Sequence, residues 1–175
     1  GVDIAGLGKI TFDQGGGTGL DRLDDKMPTA WEEAYDAGAG SNIVTVTGAG
    51  GGTDIEWALD AGMLPDGMSA YISYAPEADG TKVNDKAVGG GNNGVGKGYD
   101  IVVEHSGLAD GFNLFAGWSH IEQDAGNDRS QRAVGATYAV GSVTLGYQWS
   151  KDELGNHGPD FYENQAYGIS FNVND

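Results

Sequence analysis

The chain has no cysteine, only four prolines and nine basic residues, and no apolar run long enough for a membrane-spanning helix. The absence of cysteine excludes a disulfide framework, thiol catalysis and cysteine-ligated zinc. A transmembrane helix needs about 20 predominantly apolar residues, so none is expected here. Nine basic residues against 26 acidic ones give a formal net charge of −17, which argues against binding to nucleic acid because its phosphates would be repelled.

Sequence motifs for enzymatic chemistry are also missing. His105, His120 and His157 are far apart and have no metal-ligand spacing. The glycine-rich residues 94–98 lack the spacing of a phosphate-binding loop, and adjacent carboxylates in one acidic segment are a weak signal for a glycosidase. We therefore expect no enzymatic activity.

Glycine is abundant, with 32 residues in 175, and it follows no collagen-like triplet period. Several glycines occupy alternating positions of candidate strands, as at Gly117, Gly135, Gly146 and Gly168. Glycine at such positions leaves room where backbones crowd together or where a lumen must stay open.

The strongest pattern is a recurring unit of strand, short turn, strand and long polar loop. Residues 133–139 and 143–149 alternate around a turn at residues 140–142, so Val143, Leu145 and Tyr147 share one face of a strand. About eight such strands are predicted, at residues 4–12, 54–59, 68–75, 99–105, 112–121, 133–139, 143–149 and around 167–173. The pattern indicates one all-β domain over residues 1–175, an antiparallel up-and-down sheet with two unlike ends.

Alternation alone does not distinguish a soluble β-sandwich from a transmembrane β-barrel. The apolar faces carry aromatic residues near strand ends, and the opposite faces are small, polar or charged. Short turns also alternate strictly with long acidic loops, which a Greek-key sandwich would not require. These features favour the barrel, in which aromatic girdles meet the membrane interfaces and polar residues face a wet lumen.

A segment of roughly forty residues, 13–52, separates the first two predicted strands and is long for a connection within a compact fold. Residues 19–36 have helical tendency and are rich in carboxylates: Asp21, Asp24, Asp25, Glu32, Glu33 and Asp36. Asp24, Asp25, Glu32 and Glu33 are also candidates for sharing a Ca²⁺ ion with backbone carbonyls, since calcium prefers hard oxygen ligands.

The order of these elements resembles that of the general bacterial porins. The strand GKITF at residues 8–12, the acidic run LDDK at residues 23–26 and WEE at residues 31–33 are similar to the stretch that leads into the inward-folded third loop of porins. QAYGIS at residues 165–170 resembles a porin strand. The family implies a homotrimer of roughly 16-stranded barrels in the bacterial outer membrane.

The chain departs from the family in having about eight predicted strands and no terminal aromatic residue. We therefore expect an internal portion of a porin. A complete eight-stranded barrel is the alternative, although an inserted loop of roughly forty residues would overfill its lumen.

The resemblance also implies a function for residues 13–52. This segment would fold into the barrel and narrow it, with its six carboxylates along one side of the constriction. Lys9 and Arg132 are the candidates for the basic residues of the opposite wall. The expected activity is passive diffusion of small hydrophilic solutes and ions with a preference for cations, and it requires no cofactor apart from the candidate Ca²⁺.

Two functions of other classes compete with the porin. One is a secreted acidic all-β module that binds carbohydrate or acts as an adhesin with the help of calcium. The other is a structural surface or fibre protein with glycine-rich sheets. Dependence on detergent distinguishes the porin from both, because a barrel with a lipid-facing apolar belt aggregates in plain buffer.

Overall fold

The computed structural model describes residues 1–13, 18–28, 54–76, 95–123, 127–153 and 161–173. Within these ranges the protein is all-β, with two short 3-10 helices, η1 (Gly19–Lys26) and η2 (Ala61–Met63). The strands are β1 (Val2–Ile4), β2 (Gly8–Asp13), β3 (Asp54–Leu59), β4 (Met68–Ala75), β5 (Val95–Ser106), β6 (Phe112–Gln123), β7 (Arg129–Val140), β8 (Val143–Glu153) and β9 (Phe161–Phe171).

All nine strands form one antiparallel sheet in which each strand pairs with its neighbours in sequence, from β1 to β9. The predicted up-and-down antiparallel sheet is therefore confirmed. In the part of the chain that the structure describes, β1 and β9 are the edge strands and do not pair with each other, so the sheet is open.

The β7–β8 hairpin shows how the short turns are made. Val140 pairs with Val143, and the two residues between them form the turn. Gly141 has φ of +58°, a left-handed conformation that two-residue hairpin turns require and that glycine adopts without strain.

The predictions of β3 and β4 agree with the structure at both ends. The predicted strand over residues 4–12, in contrast, is a hairpin. It comprises β1 and β2, and its turn is closed by a 3.0 Å hydrogen bond from the Leu7 amide to the Ile4 carbonyl. This turn makes the strand count nine, one more than the alternating pattern indicated.

Several strands extend further toward the long loops than their alternation predicts. β7 begins at Arg129 and β8 continues to Glu153. Both faces are polar there, so hydropathy gives no signal, but side chains pair across the strands. Arg129 Nε donates to Asp152 Oδ1 at 2.9 Å, and Ser130 Oγ donates to Glu153 Oε2 at 2.8 Å.

The sheet has two chemically different faces. The register places large apolar residues on one of them, here called the apolar face: Phe12, Ile55, Ile72, Tyr74, Tyr99, Ile101, Trp118, Val134, Tyr138, Leu145, Tyr147, Tyr167, Ile169 and Phe171. The opposite face, here called the polar face, carries carboxylates, hydroxyls, amides and glycines. η1 lies on the polar face, where it contacts β4, β5, β6 and β7.

The hydrophobic core is small and lies between η1 and the polar face. Leu20 and Leu23 of η1 are fully buried against Val102, Phe115 and Ala133. This core covers only the middle of the polar face, where it packs η1 against the sheet. The apolar face remains exposed. Among the described residues, no helix has the length and apolar character needed to cross a membrane.

Candidate functional site

The candidate site is the acidic segment that crosses the polar face, beginning with η1. A 3-10 helix repeats every three residues, so Leu20, Leu23 and Lys26 project from the same side, toward the sheet. Runs of 3-10 helix longer than three or four residues are uncommon because the hydrogen-bond geometry is poor. An eight-residue example therefore depends on contacts with the sheet.

Carboxylates of the sheet hold the start of η1. Three successive residues donate hydrogen bonds to three different side chains: Thr18 Oγ1 to Asp54 at 2.6 Å, the Gly19 amide to Glu56 at 2.9 Å and the Leu20 amide to Asp100 at 2.7 Å. Asp54 and Asp100 are fully buried, and Glu56 is 5% exposed. The first amides of a helix lack partners within the helix and carry partial positive charge, so carboxylates stabilise them.

Two basic residues of η1 also form ion pairs with the sheet. Arg22 forms an ion pair with Glu56 and places its guanidinium 3.9 Å from the centre of the Tyr71 ring. Lys26 Nζ lies 2.8 Å from Glu104 Oε1. The positive charges of η1 are thus balanced by acidic residues of the sheet.

The segment then continues across the sheet toward β8 and β9. A Cβ atom added at Gly146 would lie 2.3 Å from Pro28 Cδ, and one added at Gly168 would lie 2.7 Å from the same atom. The glycines of the polar face therefore accommodate the segment that passes over them. The space predicted at alternating glycines is occupied here by the chain itself.

The structure brings together some of the predicted constriction residues. Asp21 and Asp24 lie half-buried on η1, and Asp25 belongs to the same helix. Lys9 lies exposed on β2, where its register with Ala58 places it on the same face as η1. Glu32, Glu33 and Asp36 lie outside the described residues.

Arg132 is on the opposite side of the sheet from η1. It pairs in register with Trp118 and Lys151 on the apolar face, is 52% exposed in its side chain and lies 3.1 Å from Glu153. The sequence contained a signal for this placement, because Arg132 and Val134 share a face of an alternating strand.

A continuous row of polar side chains was missed by the sequence analysis. Registered neighbours on β2 to β8 contribute one residue each: Thr11, Glu56, Ser73, Asp100, Ser119, Gln131 and Asp152. Alternation places each residue on the polar face but does not show which residues share a row. It also cannot indicate that Glu56 and Asp100 bind η1, since those contacts join residues 37 and 80 positions apart.

Of the four calcium candidates, Asp24 and Asp25 belong to η1, and Glu32 and Glu33 lie outside the described residues. Within the described ranges, no group of three or more acidic, histidine or cysteine side chains is arranged to hold a metal ion.

Comparison with known proteins found no matching family model, no matching curated protein and no matching solved structure.

Proposed function

We propose that this sheet is part of the wall of an outer-membrane porin and that the segment beginning with η1 narrows its channel. The observation that carries the proposal is the inverted polarity of the sheet. Large apolar side chains are exposed on one face, while carboxylates and amides are buried on the other. A sheet of a water-soluble protein buries its apolar face.

The apolar face is suited to lipid. Exposure reaches 65% for Phe12, 66% for Ile169 and 75% for Tyr167, and similar residues continue across all strands from β2 to β9. Soluble monomers rarely expose contiguous apolar patches larger than a few hundred Å². Lipid-facing strands of outer-membrane barrels show this alternation, apolar outward and polar inward.

Aromatic residues mark one border of the apolar face, and this border runs diagonally across the strands. Tyr99 of β5 pairs with His120 of β6, so Trp118 lies two residues farther from the long loops than Tyr99. Trp118 shares a register row with Lys151 of β8, so Trp149 lies two residues farther from the long loops again. Trp149 in turn pairs with Gln165, two residues before Tyr167. Beyond Tyr99, Trp118 and Trp149, on the side of the long loops, the next residues on the same face are Lys97, His120 and Lys151. Beyond Tyr167 they are Gln165 and Glu163, followed by the exposed Phe161.

The slope of this border gives a strand tilt. From β5 to β9 it moves about 1.5 residues per strand, or about 5 Å along strands spaced about 4.8 Å apart. A horizontal membrane interface then requires strands tilted by about 45°. Outer-membrane barrels have strands tilted by about 35–45°.

A barrel of nine such strands would have a backbone radius of only about 10 Å, by strand spacing and tilt. A helix with its side chains is about 10 Å across, so η1 would fill that lumen. We therefore propose a larger barrel of about 16 strands, with the nine described strands as part of its wall. The resemblance to porins further implies a homotrimer.

In such a barrel the polar face lines the channel and η1 reduces its width. Asp21 and Asp24 are the proposed charged residues of the constriction, with Asp25, Glu32, Glu33 and Asp36 as further candidates. Their negative charge concentrates cations at the narrowest point, so the channel admits small hydrophilic solutes and favours cations. Lys9 is the proposed basic residue of the lumen, whereas Arg132 is left out because it lies on the apolar face.

Reconstitution of the full-length protein in planar lipid bilayers tests the proposal. We expect single-channel conductance steps and a reversal potential in a KCl gradient that favours cations. Asp21→Asn combined with Asp24→Asn should reduce cation preference, whereas Asp66→Asn, in the exposed turn before β4, should leave it unchanged. A protein that stays soluble without detergent and forms no channel contradicts the proposal.

A further inference from the structure

We propose that Asp54, Glu56 and Asp100 act as a latch that fixes η1 to the wall and so sets the width of the channel. They are positioning residues, distinct from the carboxylates of η1 that are proposed for the constriction. The inference rests on the proposed function for its consequence, but the latch itself is a contact between described residues.

The latch adds directional hydrogen bonds to the apolar packing of η1. The apolar contacts of Leu20 and Leu23 hold η1 against the sheet, but they are non-directional and do not by themselves set the orientation of its first turn. Three consecutive donors bound to β3 and β5 determine both the position and the orientation of the first turn. Hydrogen bonds to charged groups are stronger than those between neutral groups, so this turn is well anchored.

Gly19 is the residue that allows the close approach. Its φ is +56°, and an added Cβ would lie 2.1 Å from Asp100 Oδ2. The conformation and the space both require glycine. Gly19→Ala therefore opens the latch without altering any charge, which separates position from electrostatics.

The Glu56 carboxylate has three partners. It accepts from the Gly19 amide, from Ser73 Oγ at 3.2 Å and from Arg22. The positive charge of Arg22 therefore balances the negative charge of Glu56 within the sheet. Removal of the Glu56 carboxylate should consequently change where η1 sits more than it changes the charge that a passing ion meets.

Hydrogen exchange of the amides of residues 19 and 20 measures the latch directly. In the full-length protein in detergent, Glu56→Gln, Asp100→Asn and Gly19→Ala should each raise exchange at these amides about tenfold or more. Asp152→Asn is the matched control, because Asp152 is equally buried in the same polar row but is bound by Arg129 of β7. It should leave exchange at residues 19 and 20 unchanged. If Asp100→Asn does not fold, Thr18→Val takes its place, because it removes the hydroxyl that donates to Asp54.

Bilayer recordings of the same variants test the consequence. We expect altered single-channel conductance with larger current fluctuations for the three latch variants, and parental steps for Asp152→Asn. Unchanged exchange at residues 19 and 20 in all the latch variants overturns the latch. Increased exchange with parental conductance overturns its control of channel width. Increased exchange in a protein that never conducts supports the latch as a contact and contradicts the porin.

Discussion

At the scale of single residues, the glycines of the polar face explain how a helix can lie directly on a sheet. A Cβ atom at Gly117 would lie 2.4 Å from Leu20 Cδ1 and 3.0 Å from Leu23 Cδ1. Both leucines are fully buried, so neither can move freely. The helix and the sheet are therefore fitted to each other at this point by the absence of a side chain.

We predict that Gly117→Ala lowers the free energy of unfolding by about 1–3 kcal/mol, the usual penalty for overpacking a core. Urea unfolding in detergent or lipid measures the change. Gly62→Ala is the control, because Gly62 is exposed in η2 and meets only the Asp60 carboxylate, at 3.0 Å. Equal stability of Gly117→Ala and the parent would show that η1 does not pack where the structure places it.

Adjacent residues of β8 offer a test of the two faces. Leu145 is 45% exposed on the apolar face, and Thr144 is half-buried on the polar face. If the apolar face meets lipid, Leu145→Arg should lower the stability of the membrane-inserted protein by up to about 2–4 kcal/mol. Thr144→Arg should be better tolerated because a wet lumen solvates its charge.

Folding into lipid vesicles at a series of urea concentrations measures both arginine variants. A soluble sheet would give a different result, since an arginine replacing the exposed Leu145 would then change stability by less than about 0.5 kcal/mol. Equal effects of the two arginines would contradict the assignment of the faces.

Residue alternation was sufficient to assign side chains to faces but not to identify their partners. Val143, Leu145 and Tyr147 could be placed on one face correctly because strand geometry alone determines on which side a residue points. Gly117 and Gly146 were interpreted as space, yet the neighbours that occupy the space, Leu20 and Pro28, come from a segment distant in sequence. Such contacts follow from tertiary structure and leave no local pattern.

At the scale of elements, η1 is the least predictable part of the described chain. Helical tendency over residues 19–36 indicated a helix, and the structure has a 3-10 helix at its start, Gly19–Lys26. The tight 3-10 form aligns Leu20, Leu23 and Lys26 on one side, where the sheet binds all three. The contacts that select this form come from β3 and β5, so the sequence of η1 alone could not reveal it.

Ion pairs explain why β7 and β8 remain paired beyond their apolar positions. The Asp152 side chain is 3% exposed and receives two contacts from Arg129, whose side chain is 20% exposed. Arg129→Gln leaves a buried carboxylate without its counter-ion, and we expect it to destabilise this end of the hairpin by about 2–3 kcal/mol.

Arg132→Gln is the matched control for Arg129→Gln. Arg132 is 52% exposed and its partner Glu153 is 39% exposed, so their ion pair should contribute no more than about 1 kcal/mol. Hydrogen exchange along β7 and β8 locates the effect. Equal changes in exchange for the two variants would indicate that burial of Asp152 does not strengthen the strand ends.

At the scale of the whole molecule, the topology could be predicted because every connection joins neighbouring strands. Each hairpin carries its own signals, such as the turn at Gly141. An up-and-down sheet consists of such hairpins one after another along the chain, so local signals are enough to predict it. Closure of a sheet depends instead on strands that are not neighbours in sequence. The local pattern therefore predicts an up-and-down sheet but does not determine how many strands complete a barrel.

The diagonal aromatic border provides the last prediction. If Tyr99, Trp118, Trp149 and Tyr167 form a belt at one membrane interface, their rings must lie at one depth, yet they descend across the register rows. Only tilted strands bring them to one depth, and the slope requires about 45°. Polarised infrared spectroscopy of the full-length protein in oriented bilayers should yield a strand tilt of about 35–45° from the membrane normal. Strands parallel to the normal would place the four rings at different depths and contradict an interfacial belt, whereas strands lying flat on the bilayer would exclude a transmembrane wall.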